Sequence, residues 1–435
     1  MRPIRIGICG LGTVGSGTFN VLTRNKRDIS ARAGCDIVIE QVGARRDNPK
    51  SDTAGVNVTR NVFDVADNPN IDVLIELIGG TGIAKELVLR AIENGKHIIT
   101  ANKALIALHG NEIFAAANRK GVAVMFEAAV AGGIPIIKAI REGLSANRIE
   151  WIAGIINGTT NFILTEMRDK GRSFDDVLAE AQALGYAEAD PTFDVEGIDA
   201  CHKLSILTSL AFGIPLQFEK AFTEGITKIT RQDVSYAEEL GYRIKHLGIA
   251  RRAANGIEMR VHPTLIPSKR LIANVNGVMN AVLVKGDAVG PTLFYGAGAG
   301  AEPTASSVIA DVVELARTFS ADPKHRVPFL AFHPDGMSDE PVLPISEVET
   351  AYYMRMTVKD VPGVMSKVAQ ILSDARISIE ALIQKEAPDG VDEVPLILLT
   401  SRTLESKLDK AVIAIEALDA IHGKVMRIRV EPLAG

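Results

Sequence analysis

Arg5-Ile6-Gly7-Ile8-Cys9-Gly10-Leu11-Gly12-Thr13-Val14-Gly15 is the stretch that decides the fold. Its first five residues read as a buried strand, and residues 15–23 as a helix. Between them lies the spacing G-x-G-x-x-G. Gly10 permits a tight turn, Gly12 lets backbone N–H groups approach a pyrophosphate, and Gly15 allows the helix to pack closely on the strand. A helix N-terminus carries partial positive charge, which favours a diphosphate there. Gly10, Leu11, Gly12, Thr13, Val14 and Gly15 are therefore candidate cofactor contacts. A glycine-rich turn with no ligand is the competing reading, and the strand-turn-helix context argues against it.

Outward from this motif the alternation continues. Residues 37–42 and 73–77 read as strands, 86–94 as a helix and 96–99 as a strand again. Strands alternating with helices predict parallel βαβ units, hence an α/β chain with a Rossmann doubly wound parallel sheet over residues 1–135. After the second strand comes Arg45-Arg46, with Asp47 only beyond them. An acid at that position would accept from the ribose 2′-OH of NAD, whereas Arg45 or Arg46 suits the 2′-phosphate of NADP. NADP is favoured; NAD stays open, because solvated arginines after a strand would read the same way.

The chain has 435 residues, long enough for about three domains. A hydrophobic content of 47% excludes a disordered chain. With 48 basic against 53 acidic residues there is no basic field for nucleic acid. Cys9, Cys35 and Cys201 form no paired motif, which fits a reducing compartment. The most apolar long window, 122–140, is interrupted by Glu127, Gly132-Gly133, Pro135 and Lys138, so no membrane span is expected. Met1 leads directly into a strand-like stretch without a signal-peptide pattern, and the expected location is cytoplasmic.

A second region, 136–320, reads as mixed α/β. It holds candidate strands at 148–155, 257–263 and 280–284, and helices at 161–168, 174–184 and 197–212. Residues 321–350, with a Pro- and acid-rich stretch at 335–349, read as a linker. Beyond it, 352–358, 364–374, 378–385, 393–400, 404–418 and 424–430 follow the order β-α-β-β-α-β. That order is a ferredoxin-like unit over 351–431.

Two segments carry candidate chemistry. Thr100-Ala101-Asn102-Lys103 follows a predicted strand, at the end where open α/β sheets bind ligands. Lys103 can therefore reach a cofactor or a polar substrate, a plain surface lysine being the other reading. The second segment is Gly185-Tyr186-Ala187-Glu188-Ala189-Asp190-Pro191-Thr192-Phe193-Asp194-Val195-Glu196-Gly197-Ile198-Asp199-Ala200-Cys201-His202-Lys203. Asp199 and Lys203 are four apart and share a helical face. The helix continues Leu204-Ser205-Ile206-Leu207-Thr208-Ser209-Leu210-Ala211-Phe212, apolar nearly all round, which predicts burial. A buried lysine needs partners and shifts its pKa, making Lys203 a candidate acid–base group. Cys201 sits within this helix with no nucleophile turn, and His202 points ~100° away from it; a core cysteine is the better account. No HExxH or paired-cysteine motif supports zinc.

This second segment resembles the signature of the homoserine dehydrogenases, A-x-x-x-G, an aromatic or aliphatic residue, a short spacer, D-P-x-x-D, then G-x-D-x-x-x-K. Ala181, Gly185-Tyr186, Asp190-Pro191, Asp194, Gly197, Asp199 and Lys203 fill it without a break, and the likeness covers essentially the whole chain. The resemblance implies reversible NAD(P)-dependent reduction of L-aspartate 4-semialdehyde to L-homoserine, in threonine, methionine and isoleucine biosynthesis. It implies that region 136–320 is a catalytic and dimerisation domain, with Lys203 as proton donor to the aldehyde oxygen. Lys103 would lie near nicotinamide and substrate, sharing or competing for that role. Glu188 and Asp199 would hold the amino-acid end, Glu188 accepting from the ammonium, with Asp194 supporting the same network.

The resemblance further implies a monovalent cation, usually sodium, at Glu127-Ala128-Ala129-Val130-Ala131-Gly132-Gly133-Ile134-Pro135. Its ligands would be Glu127 and the backbone carbonyls of Val130, Gly132 and Ile134. Oxygen donors suit a hard cation, although Glu127 read alone could equally form a structural salt bridge. Gly296-Ala297-Gly298-Ala299-Gly300 leads into a helix at 308–317. In the family the chain returns here, near 300–320, to complete the dinucleotide-binding domain, making Gly300 a cofactor contact.

The tail resembles an ACT domain. Lys359-Asp360-Val361-Pro362-Gly363-Val364 falls at its first strand-to-helix junction, where such modules bind an effector. Asp360, Pro362, Gly363 and Val364 are the candidate contacts, with Ser378, Ile379 and Gln384 beside them, and threonine is the implied effector. An ACT fold kept only for dimer contacts is the alternative. The expected partners are the two small-molecule substrates, threonine and further copies of the chain, as homodimer or homotetramer, with no nucleic acid and no membrane. Two rivals remain at this point: an NADP-bound amino-acid sensor without turnover, and a different oxidoreductase on the same scaffold.

Overall fold

The computed structural model of the chain describes residues 2–385 and 392–433. Strands β1 (Ile4–Cys9), β2 (Ile37–Gly43), β3 (Asn57–Thr59), β4 (Val73–Glu76), β5 (His97–Thr100) and β6 (Val124–Met125) form one sheet in the order β3-β2-β1-β4-β5-β6. Every pairing in it is parallel. The order reverses between β1 and β4, and the crevice beyond the carboxyl ends of those strands is where such sheets take ligands. Ile6, Ile8, Leu74, Ile75 and Ile98 are all fully buried, as expected of strands covered on both faces. Phe19, Leu22, Val308 and Val312 pack on one face, and Leu87, Ile92, Leu105 and Ile113 on the other.

Helix Ala301–Thr318 reaches that first face from far along the chain and lies against helix Thr13–Arg24. A Cβ on Gly17 would fall 2.4 Å from the Ala301 carbonyl oxygen, so glycine is what lets the two helices meet.

The remaining strands are β7 (Ile149–Ile155), β8 (Phe222–Thr223), β9 (Tyr242–Ala253), β10 (Gly256–Pro267), β11 (Met279–Gly286), β12 (Gly290–Ala297), β13 (Glu349–Lys359), β14 (Ile379–Gln384), β15 (Glu393–Thr400), β16 (Thr403–Leu404) and β17 (Ile421–Val430). They build one 11-stranded mixed sheet, in the order β12-β11-β7-β9-β10-β17-β13-β15-β14 with β8 on β10 and β16 on β13. The C-terminal half is β13, helix Val364–Asp374, β14, β15, helix Glu405–Glu416 and β17, the ferredoxin-like order read from the sequence. The two halves join where β10 and β17 run parallel, pairing Thr264 with Arg429 and Leu265 with Val430.

That seam is charged and largely buried. Arg260 donates to Glu258 (2.9 Å) and Glu431 (2.5 Å), Arg251 to Glu431 (2.7 Å), and Arg429 to Glu224 (2.7 Å) and Glu405 (2.8 Å). Buried charges persist only when paired in this way. Part of the segment read as a linker is laid along the sheet: Ile257 N–H donates to Pro341 O, and Leu343 N–H to Ile257 O. Among the described residues no helix is long and apolar enough to cross a membrane.

Candidate active site

Three chain segments meet at a buried cluster of charged side chains. Strand β7 ends at Ile155, and Ile156 and Asn157 follow it. Helix Ile198–Phe212 supplies Asp199 and Lys203, and helix Lys103–Lys120, which begins just after β5, supplies Lys103. Lys203 Nζ donates to Asp199 Oδ2 (2.6 Å) and to the Ile156 carbonyl (2.7 Å), while Lys103 Nζ lies 3.1 Å from Asp199 Oδ1. One carboxylate thus holds two lysines, one on each oxygen. Asp199 and Lys203 are buried, whereas the Lys103 side chain keeps 31% of its exposure and faces the open side.

Burial sets the electrostatics. It favours a neutral Asp199, but Lys203 and Lys103 more than reverse that and hold its carboxyl below the usual carboxylate range. Burial lowers Lys203, Asp199 opposes the drop and Lys103 adds to it; the net direction is down. A lysine eased downward is a better proton donor near neutral pH. Asp194 is raised, first by burial and then by Asp199, with the Asn157 hydrogen bond working against the rise.

Local backbone geometry puts these groups in place. Gly197 caps helix Ile198–Phe212 at φ +84°, and a Cβ there would fall 2.9 Å from the His246 ring. His202 packs its ring on Phe218, 4.3 Å between centroids, and burial pushes its pKa down to about 4. Burial pushes the Cys201 thiol up to about 11, in keeping with a core residue rather than a nucleophile. Glu188 is exposed, and its side chain joins no polar group of the cluster.

On the dinucleotide side, Gly10 takes φ +104°, and a Cβ on it would meet the Leu77 carbonyl at 2.5 Å. A Cβ on Gly15 would lie 1.9 Å from the Gly10 oxygen, whereas beside Gly12 there is open space. Two glycines are therefore demanded by packing, and the middle one leaves room for a ligand, as a phosphate cradle requires. The helix opens at Thr13, so Leu11 and Gly12 precede it and Thr13 and Val14 form its first turn. Arg45 and Arg46 are exposed and make no ion pair or side-chain hydrogen bond among the described residues, while Asp47 pairs with Arg60 at 2.8 Å. Gly300, at φ +124°, caps helix Ala301–Thr318.

Glu127 is 1% exposed, and among the described residues its carboxylate accepts only from the Ile137 and Lys138 backbone N–H groups, at 2.9 and 2.8 Å. Lys138 pairs instead with Asp311 (3.1 Å) and Glu314 (2.7 Å), so the salt bridge entertained for Glu127 is not made. Burial, and next Asp311, push the Glu127 carboxyl up to about 8. The carbonyls of Gly132 and Ile134 each accept one hydrogen bond, from Ser307 Oγ (2.7 Å) and Ile136 N–H (2.8 Å), leaving a lone pair on each. A buried carboxyl without its own ion pair among the described residues, in the same 127–134 segment as carbonyls with a spare lone pair, is a donor set that fits a hard cation.

In the C-terminal unit, Asp360 and Gln384 line a cavity of about 610 Å³ with Met365, Leu382, Ile383 and Lys385, and Gln384 Nε2 donates to Asp360 Oδ1 (3.3 Å). Pro362 and Gly363 are exposed beside it; the Val364 side chain is in the core, leaving only its backbone for a ligand.

Three comparisons with known proteins bear on the family and the fold. The homoserine dehydrogenase NAD-binding domain model matches residues 10–127, the homoserine dehydrogenase model 135–313 and the ACT domain model 352–417. A homoserine dehydrogenase of Pseudomonas aeruginosa is 67% identical over 433 residues, covering 100% of both chains. The chain belongs to the homoserine dehydrogenase family. A Bacillus subtilis homoserine dehydrogenase is 38% identical with 99% of each chain covered. The crystal structure of a homoserine dehydrogenase from Thiobacillus denitrificans superposes with a TM-score of 0.94 at 64% identity, covering 99% of each chain. The protein is thus an oxidoreductase with a pyridine-nucleotide-binding domain, a mixed-sheet catalytic domain and a C-terminal ACT domain.

Two buried polar residues beside the candidate site were not singled out from the sequence. Glu76 is wholly buried at the end of β4, accepting from Thr100 Oγ1 (2.6 Å), Ile78 N–H (2.9 Å) and Gly79 N–H (3.1 Å). Thr100 Oγ1 in turn accepts from Asn102 N–H (2.9 Å), and Asn102 caps the helix that Lys103 begins. The signal was there: one acid in the apolar run Val73-Leu74-Ile75-Glu76-Leu77 must find buried partners. The other is Asn157, whose Nδ2 donates to both Asp194 (2.7 Å) and Asp199 (2.9 Å); its signal was an asparagine capping the helix after β7.

Proposed function

We propose that this chain interconverts L-aspartate 4-semialdehyde and L-homoserine, with NADP favoured over NAD. The observation that carries the reading is the buried Lys203–Asp199–Lys103 cluster. The nicotinamide, when bound, supplies hydride to the aldehyde carbon or takes it from the alcohol carbon. Hydride addition builds negative charge on the substrate oxygen, which a nearby ammonium stabilises and then protonates. Lys203 gives that proton during reduction and recovers it during oxidation; Asp199 keeps it oriented. Lys103, on the open side, positions nicotinamide and substrate. Glu188 receives the substrate ammonium at the rim, with Asp194 behind it.

Supporting NADP, Arg45 and Arg46 stand unpaired where the adenosine ribose would lie, and an archaeal relative at 25% identity and TM-score 0.61 is described as a complex with NADPH. Gly10 to Gly15 and Gly300 would hold the dinucleotide. Glu127 with the carbonyls of Val130, Gly132 and Ile134 would hold sodium. Threonine would act through Asp360, Pro362, Gly363 and Val364 as feedback inhibitor in a cytoplasmic homodimer or homotetramer.

The test is NAD(P)H absorbance at alkaline pH with L-homoserine, for wild type and Lys203→Ala, with and without threonine. Losing general-acid chemistry lowers kcat by about 10²–10⁴-fold with cofactor binding retained. No wild-type turnover would overturn the homoserine assignment. Turnover surviving in Lys203→Ala would transfer the proton to Lys103.

A further inference from the structure

Asn157 sits between two carboxylates that repel each other. It follows β7, and its Oδ1 accepts from Thr160 N–H (2.8 Å), capping helix Gly158–Lys170. Its amide nitrogen has two hydrogens, and each goes to a different acid: Asp194 Oδ1 at 2.7 Å and Asp199 Oδ2 at 2.9 Å. The residue is 5% exposed, so water does not supply these donors instead. A primary amide is suited to this place because it offers an acceptor on one side and two donors on the other. Aspartate or serine would cap the helix equally well, but neither supplies two donors.

The arrangement on Asp199 depends on this. Asp199 Oδ2 already receives Lys203, and Oδ1 faces Lys103. The Asn157 hydrogen bond pins Oδ2 from the β7 side, beside the Ile156 carbonyl that also receives Lys203. Rotation of the carboxylate would hand Lys203 and Lys103 the same oxygen and move the lysine out of line. Asp194 is carried by the short helix Thr192–Val195, and besides Thr159 Oγ1 at 3.4 Å its carboxylate takes the second Asn157 hydrogen, so a shared neutral donor joins it to Asp199.

We infer that Asn157 is a positioning residue of the reaction: it locks Asp199 so that its two oxygens serve two different lysines, and holds Asp194 beside it as a second anion for an α-amino-acid substrate. This rests on the reading of Lys203 and Asp199 as the proton-transfer pair.

The experiment compares Asn157→Ser and Asn157→Asp with wild type and Lys203→Ala in the full chain. Both Asn157 variants retain a capping oxygen, so unfolding midpoint and cofactor KM stay near wild type. In both, kcat/KM for L-homoserine falls about 10–100-fold, the scale of losing charge-assisted hydrogen bonds. In Asn157→Asp the acid limb of kcat/KM also moves to higher pH. A third carboxylate then faces Asp194 and Asp199; opposite them stand Lys203 and Lys103, with the rings of His202 and His246, both pushed down to about 4 by burial, also within reach of Asp199. Wild-type kcat/KM in Asn157→Ser, with Lys203→Ala inactive, would overturn the positioning role alone. A loss that tracks a lowered unfolding midpoint and a raised cofactor KM would also overturn it, leaving a helix cap. An active Lys203→Ala would overturn the reading beneath it.

Discussion

Glu431→Gln keeps the shape of the side chain and removes one charge from the seam between the catalytic and ACT halves of the sheet. Glu431 is 1% exposed and accepts from Arg251 (2.7 Å) and Arg260 (2.5 Å). Burial raises its carboxyl, but Arg260 and Arg251 more than reverse this, taking it from the ordinary 4.5 down to about 2. At roughly 1.4 kcal/mol per pKa unit, that displacement corresponds to about 3 kcal/mol. Breaking a buried ion pair from one side costs about 3–5 kcal/mol on general grounds, so two routes reach the same scale. The carboxyl lies below its unfolded value, so its contribution is complete above pH 4.5 and is lost as pH falls towards 2.

Urea unfolding followed by fluorescence reads this directly. The single tryptophan, Trp151, is buried in the same sheet, in register with Arg251. The expected difference between wild type and Glu431→Gln is about 3 kcal/mol at neutral pH, shrinking to about 1 kcal/mol near pH ~3, with an unchanged m-value. A neutral-pH difference below ~1 kcal/mol, or one that does not shrink in acid, would refute the reasoning.

Two further outcomes bear on ligands. Replacing Arg45 and Arg46 together by alanine should raise KM for NADPH about 10–100-fold, the scale of lost charge-assisted contacts, and leave KM for NADH unchanged; an equal loss for both nucleotides would remove the arginines from the 2′-phosphate. For the cation, the melting temperature of the wild type should be higher in sodium chloride than in choline chloride at equal ionic strength, and Glu127→Gln should abolish the difference. A sodium effect that survives in the variant places the ion elsewhere.

Much of this protein is written in local pattern. The glycines at 10 and 15 announce a strand-turn-helix because only a residue without Cβ can pass the Leu77 and Gly10 carbonyls at such range, and Gly12 between them leaves the turn open. The C-terminal β-α-β-β-α-β order is equally readable, since its strands alternate and its helices show a single apolar face. The pairing of Asp199 with Lys203 is legible because opposite charges four residues apart in an apolar helix must satisfy each other once buried. Strands β9 and β12 and helix Lys103–Lys120 were less visible, their charged or small residues masking the period.

What only the tertiary structure decided are contacts between residues remote in sequence. Lys103 reaches Asp199 across 96 positions, and whether it was a surface lysine depended on how helix Lys103–Lys120 docks against helix Ile198–Phe212. Asn157 bridging Asp194 and Asp199, Glu127 lacking the lysine next to it, and Arg260 meeting Glu431 across the seam are of the same kind. Periodicity reports which face of an element is buried, not what is buried against it. A charge taken out of water must find its partner wherever the chain brings one, so its fate is a property of the packed molecule.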